Sequence, residues 1–225
     1  MRETLLDKAD FTMLKLSPML DWRKAAADMG SHVGEVHIVS AGNECKELLL
    51  IMSRKFTGIE RIYCVNDDQT FSFTPSQTSQ SSQFSHPSQS SLPSLFSQSS
   101  YLYEPNASLM KAGCFALIAQ RYACRPVSRD SHLFLSSEPI PSFPGRGFAI
   151  RAITTMNKRE LKAALGGTGR ANVSVRNFPM TADALRKKLK LKDGGDTYIF
   201  GTTTADSRHV LIICEKHHYN QTIQS

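Results

Sequence analysis

Short apolar stretches alternate with amphipathic ones over the first third of the chain. The stretches at 10–16, 35–40 and 60–65 are apolar and have the length of buried strands. Between the first two, apolar residues recur at helical spacing and predict a helix over 21–29. Strands that alternate with helices are typical of an open, largely parallel α/β sheet. Because three strands are too few to enclose a core in such a sheet, we expect this region to be the edge of a larger one.

One segment of this region has a pattern that fits two structures. Asn43 is a suitable N-cap for a helix over 44–52, in which Leu48 and Met52 would be buried. The run of Leu and Ile at 48–51 is equally typical of a strand. The sequence leaves both alternatives open.

A stretch of low complexity separates this region from the rest of the chain. Residues 75–100 contain 12 serines and 5 glutamines and no Asp, Glu, Lys or Arg. Such a composition has too little apolar surface to offset the entropy of ordering. We therefore expect a disordered linker, or an insertion looped out of a domain, and we assign residues 67–100 to it. Phosphorylation and a prion-like role are alternatives that this composition allows.

A helix and a short strand are predicted between the linker and the C-terminal third. Asn106 is a suitable cap for a helix over 106–122, which carries an apolar stripe. A short strand is expected over 133–136, and the Pro-Gly pair within 142–147 predicts a turn. We assign 101–147 to this connecting segment.

The pattern is most regular in the C-terminal third. Asn157 and Glu160 have the spacing of a capping box, and Thr181 caps a second helix over 182–191. From residue 148 onward the predicted order is β-α-β-α-β-β, which gives a compact α+β layer with helices on one face of a small sheet. The predicted strands lie at 148–153, 171–176, 197–202 and 208–214.

The charge is unevenly distributed. The formal net charge of the chain is +7, whereas residues 145–218 hold 14 Lys and Arg against 6 Asp and Glu, a net +8. The remainder is therefore close to neutral. A basic excess that is local to the C-terminal third is compatible with a nucleic-acid partner.

The cysteines and the hydropathy limit the class of protein. The five cysteines are scattered and form no C-x-x-C pair, which indicates reduced thiols in a cytoplasmic protein and neither a disulfide framework nor a zinc site. No apolar run approaches the length that spans a bilayer. We expect no metal site and no membrane partner.

Several short motifs occur in a fixed order along the chain: KLSPMLDW at 15–22, NECKELL at 43–49, YEPNA at 103–107, MKAG at 110–113, FPGR at 143–146, RNFP at 176–179, LRKKL at 185–189, LKDGG at 191–195 and RHVL at 208–211. In this order they resemble a bacterial family of class I S-adenosylmethionine-dependent methyltransferases that carry a THUMP-like, ferredoxin-like C-terminal domain. The first two motifs are similar to the fifth-strand region of that family, YEPNA and MKAG to its post-catalytic helix, and FPGR to the turn after that helix. The remaining four motifs are similar to its THUMP-like domain.

The resemblance implies a fold class and a reaction. It implies the α/β edge of a Rossmann-like methyltransferase sheet at 1–66, followed by an α+β ferredoxin-like (THUMP-like) domain at 148–217. It also implies S-adenosylmethionine as the cofactor of the complete family and RNA as the substrate. In class I enzymes the cofactor lies beside a Gly-rich first turn, and an Asp-Pro-containing motif follows the fourth strand. Neither motif is found here.

We therefore expect that this chain has no catalytic residue of its own and does not bind S-adenosylmethionine alone. The chain would start just before the fifth strand and would lack the N-terminal cofactor-binding half. It would be a truncated gene product, a fragment, or one part of a split gene with a separately encoded N-terminal half.

Candidate site residues fall into two groups. The resemblance puts Lys15 and Ser17 at the carboxyl end of the fifth strand, facing the substrate pocket; alternatively Ser17 only turns the chain and Lys15 is solvated. Phosphate contacts need cations on one surface, although a basic helix face can also be a solvated face. The candidate RNA-binding residues are Arg170, Arg176, Arg186, Lys187, Lys188, Lys190 and Lys192.

Three functional hypotheses follow. The chain is the C-terminal portion of an RNA methyltransferase whose transfer chemistry lies elsewhere, or a non-catalytic RNA-binding module. The third hypothesis is a decayed remnant of such an enzyme, in which the open edge of an incomplete sheet would favour aggregation.

Overall fold

The structure, a computed structural model, describes residues 2–81, 96 and 99–217. The chain divides into two compact units, each with its own sheet. The first unit comprises Met1–Phe84 and Pro105–Gln120, and the second comprises Ser85–Glu104 and Arg121–Ser225. The chain therefore passes from one unit to the other three times.

The first unit is built on a five-stranded mixed sheet. Its elements are α1 (Arg2–Lys8), β1 (Thr12–Leu16), α2 (Trp22–Met29), β2 (Val33–Ala41), β3 (Glu44–Met52), β4 (Arg61–Asn66), β5 (Gln69–Phe73), α3 (Pro75–Ser81), α4 (Ala107–Ala112) and α5 (Phe115–Arg121). The strand order is β1-β3-β2-β4-β5; β2 and β4 are parallel, and the other three pairs are antiparallel.

A tight turn decides the structure of the segment that the sequence left open. Gly42 and Asn43 join β2 to β3 with φ angles of 58° and 61°, and paired positive φ angles are typical of a two-residue hairpin. Asn43 is thus a turn residue and not a helix cap. The helix alternative for 44–52 is wrong, and the strand alternative is confirmed. Because such a hairpin imposes antiparallel pairing, the expected largely parallel sheet is also wrong.

Alternating side chains of these strands bury the core of the first unit. Val36 and Ile38 of β2 and Leu48 and Leu50 of β3 have no exposed surface. Residues two apart on a strand face the same side of the sheet, so these four side chains share one face. Two helices of the unit, α2 and α4, contact β2.

Part of the segment assigned to the linker belongs to this sheet. β5 lies within 67–100, pairs with β4 and buries Phe73 almost completely. The linker assignment therefore starts too early, because a strand with alternating buried positions precedes the low-complexity stretch. Residues 82–95 and 97–98 lie outside the described part of the chain.

The second unit is built on a seven-stranded sheet. Its elements are β6 (Tyr101–Pro105), β7 (Arg125–Pro126), β8 (Phe134–Ser136), β9 (Gly145–Thr154), α6 (Lys158–Leu165), β10 (Asn172–Arg176), α7 (Ala182–Lys188), β11 (Thr197–Thr203) and β12 (His209–Lys216). The strand order is β10-β11-β12-β9-β6-β8-β7. From β9 onward the element order is the predicted β-α-β-α-β-β. The sheet continues through three strands of the 101–147 segment.

Both faces of this sheet are buried. On one face Leu185 of α7 packs with Ile199 and Leu211 of β11 and β12. On the other face Leu102 of β6 packs in a cluster with Phe200 of β11. The segment before β9 therefore contributes to the core of the second unit.

Two predicted helices end earlier than expected. The helix predicted over 106–122 is two helices, because Gly113 adopts a left-handed conformation and ends α4. The helix predicted over 182–191 ends at Lys188, and Lys190 has a positive φ of 57°.

Candidate nucleic-acid interface

The end of α7 and the loop after it carry a group of exposed lysines. Thr181 starts the helix, since its hydroxyl accepts a hydrogen bond from the amide of Ala184 at 3.2 Å. Leu185 is fully buried and Leu189 is 8% exposed, so the basic residues beside them point away from the core. Over the described ranges, none of these lysines takes part in an ion pair. The lysine surface, as we call it, consists of Lys187, Lys188, Lys190 and Lys192.

The arginines predicted for the same interface are held by intramolecular contacts. Arg170 donates to the backbone carbonyl of Asp193 from Nε at 3.2 Å and from Nη2 at 3.0 Å. Arg186 pairs with Asp183 at 2.6 Å and with Asp193 at 2.8 Å. Arg176 is engaged elsewhere in the second unit. The predicted set therefore separates into four exposed lysines and three fixed arginines.

The helix itself accounts for part of this basic surface. Arg186, Lys187 and Lys188 occupy the last turn of α7, where a cation interacts favourably with the helix C-terminus by about 0.3–1 kcal/mol. Lys190 and Lys192 lie beyond the helix and are exposed without that role. The lysine surface can therefore be reached by a phosphate backbone.

A buried carboxylate holds Arg176 together with a second arginine. Glu104 lies near the end of β6, and its side chain is 2% exposed. Its Oε1 oxygen accepts from Nη2 of Arg176 at 2.6 Å. Its Oε2 oxygen accepts from Nε of Arg146 at 3.0 Å and also from Nη2 of that residue. The side chains of Arg146 and Arg176 are 42% and 37% exposed, so a buried carboxylate lies beneath two guanidinium groups that reach solvent.

Sequence reasoning missed two of the three members of this Glu104 cluster (Glu104, Arg146 and Arg176). It selected Arg176 for its charge, but it gave Glu104 and Arg146 no role. All three lie in motifs that carry the family resemblance, at 103–107, 143–146 and 176–179. Their convergence depends on the tertiary fold and could not be derived from their spacing.

A histidine lies close to the Glu104 cluster. Burial lowers the pKa of His132; Asp130 opposes that shift, and the positive charge of Arg176 adds to it. The backbone of His132 is left-handed, with a φ of 54°. The imidazole therefore stays neutral to lower pH than an ordinary histidine, which avoids a second cation beside Arg176.

The substrate-pocket candidates Lys15 and Ser17 lie at the end of β1 and in the loop after it. Nζ of Lys15 is 2.5 Å from Oε1 of Glu47 on β3, and the lysine side chain is 68% exposed. The Ser17 hydroxyl accepts a hydrogen bond from the amide of Met19 at 3.3 Å. Both polar groups thus have local partners, and neither is buried.

A cavity of about 300 Å³ opens beside this loop in the first unit. The Asp21 carboxylate accepts from the amide of Lys24 at 2.9 Å, which lowers the pKa of Asp21 and identifies it as the N-cap of α2. Neither Lys15 nor Ser17 lines the cavity. Its lining residues are Leu16, Leu20, Asp21, Lys24, Ala25, Asp28 and Met29.

The same edge of the first unit exposes large apolar side chains. Phe11, Met13, Met19 and Leu20 are 57%, 63%, 86% and 46% exposed. They lie on or beside β1, which is an edge strand. An open edge next to exposed apolar side chains is typical of a place where another segment or chain packs.

The strand-to-helix connections bear on cofactor binding. A class I cofactor site needs a Gly-rich turn between a strand and a helix, and none of the connections in the described ranges contains a glycine. The described connections therefore lack the Gly-rich turn that a class I cofactor site needs. The connections are Ser17 to Asp21, Thr74, Asn106, Thr155 to Asn157 and Asn177 to Thr181.

Two family models match the residues that form the second sheet. Residues 145–216 match a model described as THUMP domain-like, and residues 101–144 match a ferredoxin-like domain. Residues 145–216 form a THUMP-like domain. The THUMP-like domain holds β9 to β12 with α6 and α7, and hence the lysine surface. Within the Glu104 cluster it supplies both arginines, and the ferredoxin-like domain supplies the carboxylate.

The chain is also similar to a solved structure, the crystal structure of a "putative methyltransferase from Porphyromonas gingivalis W83". The two share 33% sequence identity and superpose with a TM-score of 0.83. The match covers 96% of this chain and 53% of the Porphyromonas chain, so this chain spans about half the length of that protein. A search of curated proteins gave no match.

Two further observations concern the described residues only. None of their helices is both long and apolar enough to cross a membrane. Their His, Cys, Asp and Glu side chains form no group of three or more that could hold a metal ion.

Proposed function

We propose that this chain is the C-terminal half of an S-adenosylmethionine-dependent methyltransferase that acts on RNA. The THUMP-like domain binds the RNA, and the other half of the enzyme supplies the cofactor site. The observation that carries the proposal is the likeness of 96% of this chain to about half of the Porphyromonas protein. The part played by this chain is therefore substrate binding.

The open edge of the first unit supports a second half. Among the described strands, β1 has a neighbour on one side only, and Met13 on β1 and Met19 after it are exposed. A strand from the cofactor-binding half would pair with β1 and remove these side chains from water. That half is either on the same polypeptide or separately encoded.

The lysine surface supports RNA as the substrate. Four exposed lysines without ion-pair partners in the described ranges lie within residues 187–192 of the THUMP-like domain, where they can neutralise phosphates. The nearby aromatic rings are engaged internally, since Tyr198 packs on Phe148 and Phe178 on His209. We therefore propose recognition of the backbone and shape of the RNA, not stacking of single bases. Five free thiols fit a cytoplasmic location.

Salt-dependent RNA binding tests the substrate. We would measure the affinity of a structured RNA by fluorescence anisotropy over a range of salt concentrations. Replacing Lys187, Lys188 and Lys190 by Ala should flatten the salt dependence by about 2 to 3 units, since each phosphate contact contributes about 0.7–0.9. The matched control removes three cations from α6: Lys158, Arg159 and Lys162 are replaced by Ala. RNA binding by the lysine surface would be contradicted if the affinity of both variants had the same dependence on salt concentration, or if the affinity did not depend on salt concentration at all.

Cofactor binding tests whether the cofactor site lies in the other half of the enzyme. Calorimetric titration of the purified chain with S-adenosylmethionine should give no binding. The same titration should give binding when the polypeptide equivalent to the other half of the Porphyromonas protein is co-expressed and co-purified. Micromolar binding by this chain alone would overturn the assignment of the cofactor site to the other half.

A non-catalytic RNA-binding module is the second candidate, favoured by the strand-to-helix connections without glycine. It predicts the same salt dependence but no association with a cofactor-binding half. Pull-down with tagged chain from its native cells, followed by assay of methyl transfer to RNA, separates the two candidates.

A further inference from the structure

Three segments that are distant in the chain bring opposite charges together in the second unit. Glu104 comes from β6, Arg146 from the start of β9 and Arg176 from the end of β10. Among the described residues, Glu104 is the acidic partner of both arginines. Two positive charges against one negative charge leave the cluster with a surplus of one positive charge.

The carboxylate fixes the arginines and leaves donors available. Arg146 uses Nε and Nη2 on Glu104, which leaves its Nη1 group without a described partner. Arg176 uses Nη2 on Glu104, and its Nη1 makes a long 3.5 Å contact to the carbonyl of Val175. Because Glu104 fixes both guanidinium groups, the Nη1 group of each arginine is preorganised to donate to a further acceptor.

One buried polar atom of Arg176 and one of its neighbour Thr202 have no hydrogen-bond partner within the described residues. One is Nε of Arg176 itself, and the other is the hydroxyl oxygen of Thr202. Thr202 is fully buried and is the register partner of Arg176 across β10 and β11, so both side chains face the same side of the sheet. Buried polar groups are normally satisfied, and unsatisfied ones mark a place for a bound group or water.

We propose that Arg146 and Arg176 form a binding site for a phosphate group. A phosphate supplies the second negative charge that the cluster lacks and offers several acceptor oxygens to two guanidinium groups. Planar guanidinium groups match the geometry of phosphate oxygens and are bound more strongly by them than by neutral acceptors. The phosphate comes either from an RNA backbone or from a free phosphorylated molecule.

The site differs from the lysine surface in its chemistry. The lysine surface offers mobile point charges, whereas the Glu104 cluster offers fixed arginines over a buried carboxylate. The phosphate site does not rest on the proposed function, because inorganic phosphate tests it without RNA. RNA binding by the lysines can fail while this site binds phosphate, and the reverse also holds.

Inorganic phosphate and the full chain provide the test, with the arginine Nε resonances followed by NMR. Phosphate should shift the Nε resonances of Arg146 and Arg176 and leave that of Arg151 in place. Arg151 is the matched control, since it lies on β9, is 44% exposed and pairs with Glu215.

The Arg146→Lys variant keeps the charge but loses the planar group. Its affinity for phosphate should fall about tenfold, which corresponds to the loss of one charge-assisted hydrogen bond. The Arg151→Lys variant should bind as the parent does.

The source of the phosphate is resolved by a second titration, with a short RNA of known sequence. Shifts at Arg146 and Arg176 with RNA but not with inorganic phosphate assign the site to the RNA backbone, and shifts with inorganic phosphate but not with RNA assign it to a free phosphorylated molecule. Shifts with both ligands show that the site accepts phosphate from either source. The proposal is overturned if neither ligand moves these resonances. It is also overturned if Arg146→Lys lowers stability while phosphate affinity stays unchanged, because the cluster would then be structural only.

Discussion

Nη2 of Arg176 lies 2.6 Å from Oε1 of Glu104, across 72 positions of the chain. The arginine belongs to the segment matched as THUMP domain-like, and the glutamate to the segment matched as a ferredoxin-like domain. Oε2 of the same carboxylate accepts from Arg146, the second residue of the THUMP-like match. A single buried side chain therefore ties the two matched segments together within the second unit.

Removing this carboxylate should destabilise the second unit. Glu104→Gln keeps the shape but leaves two guanidinium groups without a counter-charge, and loss of one partner of a buried pair costs about 3–5 kcal/mol. We expect about 2–4 kcal/mol, because both arginines are more than a third exposed and can be hydrated. Hydrogen exchange of the β11 and β12 amides under denaturant measures the change in the second unit.

Glu215→Gln is the matched control for that variant. Glu215 pairs with Arg151 at 3.1 Å, but the two side chains are 57% and 44% exposed. An exposed pair is worth less than about 1 kcal/mol, so the protection of β11 and β12 should barely change. Equal losses for the two glutamine variants would show that Glu104 is not a buried structural charge.

The second unit should lose stability as the pH falls through the histidine range. Burial lowers the pKa of His132 in the folded protein, with Asp130 opposing and Arg176 adding to the shift. Between that lowered pKa and the ordinary value of about 6.5, the unfolded chain binds more protons than the folded one. Stability due to neutral His132 is therefore complete above about pH 6.5 and is lost as the pH falls through the folded-state pKa.

His132→Asn isolates this contribution. The residue has a positive φ of 54°, which Asn tolerates better than most side chains. Urea unfolding between about pH 5 and 7.5 should show a smaller loss of free energy on acidification for the variant than for the parent. An unchanged pH dependence would mean that another group is responsible.

Buried thiols should resist alkylation in the native state. Burial raises the pKa of Cys124 to about 12 and raises the pKa of Cys64 and Cys214 as well. Since the thiolate is the reactive form, these side chains should be labelled slowly by iodoacetamide, whereas the half-buried Cys45 should be labelled first. Mass spectrometry of timed samples checks the order, and prior unfolding in denaturant should equalise the rates. Rapid labelling of Cys214 in the native protein would contradict the packing of β12.

Local signals were sufficient for the helices of the THUMP-like domain. The Asn157 side chain accepts from the amides of Arg159 and Glu160, and Gly166 ends α6 in a left-handed conformation. These contacts join residues that are close in the chain, so they can be predicted from the sequence. One detail differs: Glu160 accepts from the Thr155 hydroxyl at 2.8 Å, and no bond from it to the Asn157 amide is found in the described residues.

The strand pairing and the Glu104 cluster could be recognised only once the fold was known. The Gly42-Asn43 turn was present in the sequence, but the apolar run after it also fits a helix, and the pattern alone does not choose between them. The contacts of Glu104 join residues 42 and 72 positions apart. No periodicity in a single sequence encodes contacts over such separations. From the sequence alone, Glu104, between Tyr103 and Pro105, is therefore part of a motif but has no assigned role.

The apolar edge of the first unit should cause the isolated chain to self-associate. Met13, the second residue of the edge strand β1, is 63% exposed, and an open edge with apolar side chains pairs readily with another copy. Met13→Glu places a charge on that edge and should shift the chain toward monomer in sedimentation velocity experiments. Ala163→Glu adds the same charge to an exposed position of α6 and should leave the distribution unchanged. If the cofactor-binding half covers β1 in the complete enzyme, Met13→Glu should also weaken its co-purification. Association that is insensitive to Met13→Glu would place the contact elsewhere and remove β1 as the joining edge.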